Sequence, residues 1–291
     1  MRISVIVPGR NCQHSLHKLV EALRAQGRSA DEMLFVDDAS SDDTPALAER
    51  WGFHVLKQSV RKGPGVSRNL GIRVASGDAV AFIDSDCWPA QDWLEKIEAI
   101  LKTNPDEVIM GKTEIPTAGF WANAISDLGF PGGANLGFEK VWKVDKFGYT
   151  DHISACNFAA TKAIFERAGC FNERISISAC EDVELSLRWN SKGVRIRYCP
   201  EVRIWHSPRK GVYDFAGWHF SRGRGIYQFR RVSGSVRYLA RLRLWYLVNL
   251  IRTFKTDLRL PVLLFLSGVA FFAQICGYLT EGVIVGQPEP F

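Results

Sequence analysis

Four carboxylates crowd the stretch Val36-Asp37-Asp38-Ala39-Ser40-Ser41-Asp42-Asp43, directly after an apolar run. At the end of a strand they make poor core and good acceptors for a ligand, although a turn whose Asp and Ser cap the next helix uses the same residue types. Asp84-Ser85-Asp86 repeats the arrangement after Ala79–Ile83. Two carboxylates separated by one residue suit a hard divalent cation whose shell is completed by water and phosphate; the alternative is again a polar turn. In Lys62-Gly63-Pro64-Gly65-Val66-Ser67-Arg68-Asn69 the glycines precede a helix with Arg68 in its first turns, a candidate phosphate cradle or simply a glycine loop beside a solvated arginine. Cys180-Glu181-Asp182-Val183-Glu184 sets acids at a helix start. The macrodipole alone favours them there, and a carboxylate so held also serves as a general base toward an alcohol. Trp205-His206 ends a strand-like run, with the imidazole either structural or a nitrogen ligand for a metal already held by carboxylates.

These clusters need elements to carry them, and residues 1–112 supply an alternation. Strands are expected at Ile3–Val7, Met33–Val36, His54–Leu56, Ala79–Ile83 and Val108–Met110, and helices at His14–Ala25, Ser41–Arg50, Val66–Val74 and Trp93–Leu101. Such alternation predicts an α/β fold with a mostly parallel sheet flanked by helices, binding its ligand at the carboxyl ends of the strands. Residues 113–150, rich in Gly and aromatics, read as mobile loop with a short helix near Phe120–Leu128. Order returns with a strand at Ser154–Ala159, helices from Thr161 and over Glu181–Asn190, and two strands, Arg195–Tyr198 and Val202–Trp205.

The 291 residues hold 46% apolar and 23% charged side chains, which excludes a disordered chain and is enough to bury a core. Seven cysteines, none in a CxxC pair, argue against a disulfide framework and for a reducing compartment. The chain enters a strand almost at once, so no signal peptide is expected and the protein reads as cytosolic at its start. Residues 207–259 carry twelve Lys/Arg against Asp214 and Asp257 alone, so the whole net charge of +6 arises there. Directly after it, Leu260–Thr280 is uncharged and long enough to cross a bilayer, though Pro261, Gly268 and Gly277 also allow a shallow element. A basic stretch before an apolar one points to anionic membrane lipids, not nucleic acid. Arg230, Arg231, Arg237, Arg241, Arg243, Arg252, Lys255 and Arg259, interleaved with Tyr238, Leu242, Leu244, Trp245, Tyr246, Leu247 and Leu250, suit helices in the headgroup layer.

The order and spacing of the clusters resemble the family-two inverting glycosyltransferases of the GT-A fold. The resemblance runs from Ser4-Val5-Ile6-Val7-Pro8-Gly9-Arg10-Asn11 through the clusters at 36–44, 63–71 and 82–86 to Glu181-Asp182, and covers about residues 1–206. It implies a GT-A (Rossmann-like) domain over 1–206, with a nucleotide-sugar half at 1–112 and an acceptor half at 113–206, followed by a basic helical membrane-associating region at 207–291. By the same resemblance the donor nucleotide, a UDP-sugar foremost, would be bound by Pro8, Gly9, Arg10, Asn11, Asp38, Ser40, Arg68, Asp84 and Ser85. Asp38 would accept from the base imide, Asp84 would reach the ribose side and Arg68 would lie near the diphosphate. Asp86 and His206 would hold Mn²⁺ or Mg²⁺, Asp182 would be the catalytic base, and Glu181 and Asn157 would stand on the acceptor side. The acceptor is expected to be lipid-linked or an envelope glycan, reached at the cytoplasmic face of the membrane with 260–280 as a single-pass or monotopic anchor; the oligomeric state stays open. The Gln-x-x-Arg-Trp motif of processive synthases has only Gln228-Phe229-Arg230-Arg231-Val232 as counterpart, so single transfer is expected. Two rival readings are a sugar nucleotidyltransferase, whose Gly-rich, Arg-containing loop Pro8-Gly9-Arg10-Asn11 does not supply, and a nonenzymatic membrane-binding module, which leaves the acidic clusters unused.

Overall fold

The computed structural model describes residues 1–286; the last five residues of the region expected at 207–291 lie outside the described residues. The first half winds β1 (Ile3–Gly9), α1 (Leu16–Arg24), β2 (Glu32–Asp37), α2 (Thr44–Arg50), β3 (His54–Lys57), α3 (Pro64–Val74), β4 (Ala79–Ile83), β5 (Cys87–Pro89), α4 (Trp93–Thr103) and β6 (Glu107–Glu114). Then follow α5 (Phe120–Asp127), α6 (Phe138–Val141), β7 (Tyr149–Thr150), β8 (Asn157–Thr161), α7 (Lys162–Ala168), α8 (Glu181–Ser191) and β9 (Arg195–His206). Three helices finish the described chain: α9 (Val212–Ser233), α10 (Arg237–Phe254) and α11 (Leu260–Gly286).

All the strands share one sheet in the order β3-β2-β1-β4-β8-β6-β9-β5, with β7 alongside β9. The four strands β3 to β4 are parallel, as the βαβ alternation requires. Beyond β4 the sheet is mixed: β8 runs antiparallel to β4 and β6, while β6 and β9 are parallel. Both faces are covered, and the pleat sorts each strand between them. In β4, Ala79, Ala81 and Ile83 face α1 and α4, whose Leu16, Leu19, Trp93 and Ile97 complete one core, while Val80 and Phe82 face the other core with Ile72, Ile164 and Trp189.

Two departures from the sequence reading concern continuity. The strands expected at Arg195–Tyr198 and Val202–Trp205 are one twelve-residue strand, β9, whose register against β6 shifts at Gly111/Lys112, opposite the Pro200 interruption. Residues 113–150 are not a loop over the surface: Leu128, Phe138, Val141 and Trp142 are buried in the core shared with the sheet. Their turns depend on left-handed glycines at 129, 132, 133 and 137, which erases the helical or strand period that would have announced them.

The helices after His206 do not stand apart from this core. Phe215 of α9, Leu250 and Phe254 of α10, and Leu263, Leu266 and Ala270 of α11 belong to the same buried cluster as Ile125 and Phe138. α11 lies along α9, and the two are in backbone contact. A Cβ at Gly277 would collide with the Phe220 carbonyl, and one at Gly223 with the Gln274 carbonyl.

Candidate active site

The carboxyl ends of β1, β2 and β4 open together. Gly9 carbonyl accepts from the Asp38 amide at 2.9 Å, and the Asn11 amide donates to Ser40 Oγ at 2.9 Å. Asn11 Oδ1 in turn accepts from the Ser41 amide at 2.8 Å. The loops after β1 and β2 are thereby stitched into one rim, with Asn11 and Ala39 in the left-handed region. A cavity of about 480 Å³ lies above it, within the range of small-molecule sites. Pro8, Gly9, Arg10, Asn11, Asp38, Arg68, Asp84, Ser85, Asp86, Glu181, Asp182 and His206 all line it.

Two expected residues are not on its wall. Ser40 braces Asn11 and donates its amide to Asp37 at 3.1 Å, so it shapes the rim from behind. Asn157 is fully buried and spends its amide inside the core: Oδ1 accepts from the Trp93 indole at 2.9 Å, and Nδ2 donates to the Lys112 and Val202 carbonyls at 3.0 Å each. An amide so fully satisfied ties β8 to its neighbours and has nothing left for an acceptor, which corrects its expected placement.

The glycine loop is also used differently from a phosphate cradle. The amides of Lys62 and Gly63 donate to the Asp38 carboxylate at 2.7 and 2.9 Å, and Gln58 Nε2 adds a third bond at 3.2 Å. Gly63, at φ +90°, lies against the Ser176 backbone with no room for a Cβ. Arg68 then reaches across the molecule, with one terminal nitrogen 2.8 Å from Asp84 and the other 3.0 Å from Glu181. The guanidinium is 3% exposed, so its charge goes to two carboxylates rather than outward to a diphosphate. Burial, with Asp182 alongside, pushes the Glu181 carboxyl up to about 7 against the pull of Arg68. Glu181 thus lines the cavity as part of a bridge that ties α8 through Arg68 of α3 to the end of β4.

Strand pairing makes the metal-type cluster. Cys87 pairs with His206 across β5 and β9, and the Ser207 amide donates to the Asp86 carbonyl at 2.9 Å. His206 Nε2 then sits 3.4 Å from Asp86 Oδ1, while Nδ1 donates to the Ser207 carbonyl at 2.7 Å. That bond requires a proton on Nδ1, so Nε2, which faces the Asp86 carboxylate, is the nitrogen through which this histidine could ligate a metal. Cys87 Sγ is close to both, but burial raises its pKa well above the ordinary thiol value and keeps it a neutral thiol. The usable donors are one carboxylate oxygen and one imidazole nitrogen, a set that fits Mn²⁺ or Mg²⁺ with phosphate and water completing the shell.

Asp182 enters from the first turn of α8, whose preceding residue Cys180 is left-handed at φ 67°. Its Oδ1 accepts from the Val183 amide at 2.8 Å and the side chain remains partly exposed to the cavity. Glu184, two residues on, is committed to Arg188 at 3.0 Å. The far wall comes from the chain after β9: Arg209, Trp218 and Arg222 line the cavity, with Arg209 and Arg222 stacked on the Trp218 ring at 5.1 and 4.8 Å. The composition of the basic stretch points it as a whole to lipid and does not single out Arg209 or Arg222. Arg209 follows His206 by three residues, and Trp218 and Arg222 sit one helical turn apart, a spacing that shares a face.

A mixed α/β sheet with carboxylates at its parallel strand ends and a histidine on the paired edge is the GT-A fold of nucleotide-sugar enzymes. The profile of glycosyl transferase family 2 matches residues 4–165, and the chain belongs to that family. It is 27% identical over 225 residues to the pre-mycofactocin glycosyltransferase of Mycobacterium tuberculosis, a match that covers 73% of this chain but only 44% of the relative. It is 26% identical over 263 residues to glycosyltransferase AglE of Haloferax volcanii, covering 85% of this chain and 80% of the relative. Mannosyltransferase PcManGT from Pyrobaculum calidifontis, solved in complex with GDP-Man and Mn²⁺, shares the fold at a TM-score of 0.62 and 19% identity, over 97% of this chain and 86% of that one.

Proposed function

We propose that the protein transfers one sugar from a nucleotide-sugar donor, a UDP-sugar foremost, to an acceptor hydroxyl with inversion of the anomeric carbon. The observation that carries this reading is the opening of the Asp86–His206 pair and of Asp182 into one cavity from different elements. The nucleobase lies against Pro8 to Asn11, with a lone pair of Asp38 for its imide, and the ribose lies toward Asp84 and Ser85. Arg10, Arg61 and Arg222 line the cavity open to phosphate charge, whereas Arg68 is already paired with Asp84 and Glu181, and Arg209 lies 3.6 Å from Asp214. Asp86 and His206 would hold a divalent cation, Mn²⁺ or Mg²⁺, which would supply positive charge against the departing diphosphate. Asp182 takes the proton of the acceptor hydroxyl as that oxygen bonds the anomeric carbon and the bond to the diphosphate breaks on the opposite face. The Mn²⁺ complex of the mannosyltransferase named above supports the metal assignment.

Single transfer is favoured over processive synthesis. Gln228 donates to Glu281 of α11 at 2.7 Å and accepts from the Ser176 amide at 2.9 Å, so it is occupied in packing α9 and does not line the cavity. The acceptor we infer is lipid-linked or an envelope glycan, met at the cytoplasmic face of a membrane. The 26-residue helical segment Leu260–Val285, with an 18-residue window of mean hydropathy 2.0, supports that membrane association. Thermal-shift and turnover measurements with UDP-, GDP- and dTDP-sugars, each with and without Mn²⁺, test the proposal. A stabilising, metal-dependent donor that is turned over establishes it; no response to any donor in the presence of metal overturns it.

A further inference from the structure

We propose that α11 lies in the plane of the membrane, half-sunk in the cytoplasmic leaflet, and does not cross it. The proposal rests on the membrane association argued above and adds its geometry. Length alone permits a crossing, since about 20 apolar residues suffice. What argues against one is what α11 is packed on. Up to Val283 its exposed apolar positions, Leu264, Phe265, Phe271, Phe272, Ile275, Leu279 and Val283, recur at helical spacing and form one stripe, with Ile284 and Val285 exposed off it at the helix end, while Leu263, Leu266, Ala270 and Glu281 face the protein. That inner face meets polar groups at the centre of the apolar run. Gln274 bonds the His219 ring and the Arg243 guanidinium, and Glu281 accepts from Arg224 and Gln228 at 2.7 Å each. A crossing α11 would carry α9, with Arg222, Arg224 and His219, to bilayer depth, where each such group is costly.

The cavity makes the argument stronger. Trp218 and Arg222 line it, while their neighbours His219 and Gly223 touch α11 at Gln274. One helix therefore separates the centre of α11 from the cavity. A spanning α11 would hold a site for a charged nucleotide at the level of the acyl chains. Lying in plane, the same helix leaves the cavity about one helix diameter, ~10 Å, above the leaflet surface. The partner chemistry follows from the surroundings. On α10 the exposed apolar positions Leu244, Val248 and Ile251 share a stripe with exposed Arg241, Arg252 and Lys255, and Phe120 and Trp121 stand exposed on α5, which contacts α11. Aromatics and cations around an apolar face fit an anionic leaflet.

The test uses full-length protein with Cys12, Cys170 and Cys276, the partly exposed thiols, replaced by Ser. Nitroxide labels are placed singly at Phe265→Cys, Phe272→Cys, Leu279→Cys and Val283→Cys, which span about 27 Å of helix axis. Flotation on vesicles of neutral and of partly anionic phosphatidylglycerol composition first establishes binding, and collision accessibility then reads the depth of each label. Equal, shallow depths at all four positions on anionic vesicles support the in-plane helix. A depth maximum near Phe272 with shallow ends leaves the membrane reading intact and overturns this one, whereas protein that fails to float overturns both. Phe265→Ser with Phe272→Ser, two exposed changes that spare the core, should weaken vesicle affinity about tenfold or more; unchanged affinity also counts against the proposal.

Discussion

Asp86 and His206 touch only through the register of two strands, and Asp86 is the sharper handle because its side chain has no core role. Asp86→Ala should abolish turnover and metal-dependent nucleotide binding while the melting temperature stays near wild type; a variant that retains metal-dependent affinity would move the metal elsewhere. Asp182→Asn keeps shape but cannot take a proton, so turnover should fall by about 10²–10⁴ with donor affinity near normal, measured by steady-state kinetics and titration. Arg68 is a different case. With the guanidinium gone, Glu181 is left as an unpaired buried group, so Arg68→Met should cost about 3–5 kcal/mol in denaturant unfolding, and adding Glu181→Gln should recover part of the loss. His152, buried and stacked on Trp142 at 4.4 Å, is held neutral by burial, which lowers its pKa to about 4. An unfolded chain binds that proton near 6.5, so the stability of keeping it off is present above that pH and is lost as pH falls from about 6.5 toward 4. His152→Phe should flatten this part of the stability profile. At this scale the motif spacing was informative for Asp84, Asp86 and Asp182, each at an element end. It singles out Arg68 only as a residue near a diphosphate, because its partners Asp84 and Glu181 are 16 and 113 residues away and meet it only in the folded chain.

Helices and strands were legible where one period ran long enough. β1 to β4 and α1 to α4 follow the expected boundaries within a few residues, because β1, β2 and β4 are short apolar runs buried on both faces and α1 and α4 each carry a buried apolar stripe at helical spacing. β5 escaped notice, being three residues long and defined by its partner β9 instead of its own pattern. α10 was read as a basic helix in the headgroups. Its Leu250 is in fact fully buried and its Tyr246 packs on the core, leaving Leu244, Trp245, Leu247, Val248 and Ile251 outward. Arg243 and Arg259 likewise serve Gln274 and Asp127 within the protein. The contact between α9 and α11 gives a paired prediction. Gly277→Ala places a methyl group against the Phe220 carbonyl and should destabilise by about 1–3 kcal/mol. Gly268→Ala, on the same helix with nothing within 4 Å, should be neutral or stabilise by up to about 1 kcal/mol through helix propensity. Equal effects on melting temperature would mean that the two helices do not meet as described.

Across the whole molecule the charge asymmetry was visible in composition, but its division of labour was not. Part of the basic stretch faces the cavity, part faces its own protein, and the exposed remainder on α10 faces outward. Removing residues after Arg259 should therefore leave a protein that binds anionic vesicles more weakly and releases as salt rises, while full-length protein resists a high-salt wash. Because Leu263, Leu266 and Ala270 leave the core with that deletion, it should also lower the melting temperature; a truncated form as stable as the whole would contradict their burial. α9 has one further consequence. One helix presents Trp218 and Arg222 to the cavity and, on the adjacent face, His219 and Gly223 to α11. On the function and membrane geometry proposed above, nucleotide would meet one face of α9 and the lipid-facing helix α11 the adjacent face, so any factor by which vesicles change nucleotide affinity must equal the factor by which nucleotide changes vesicle affinity.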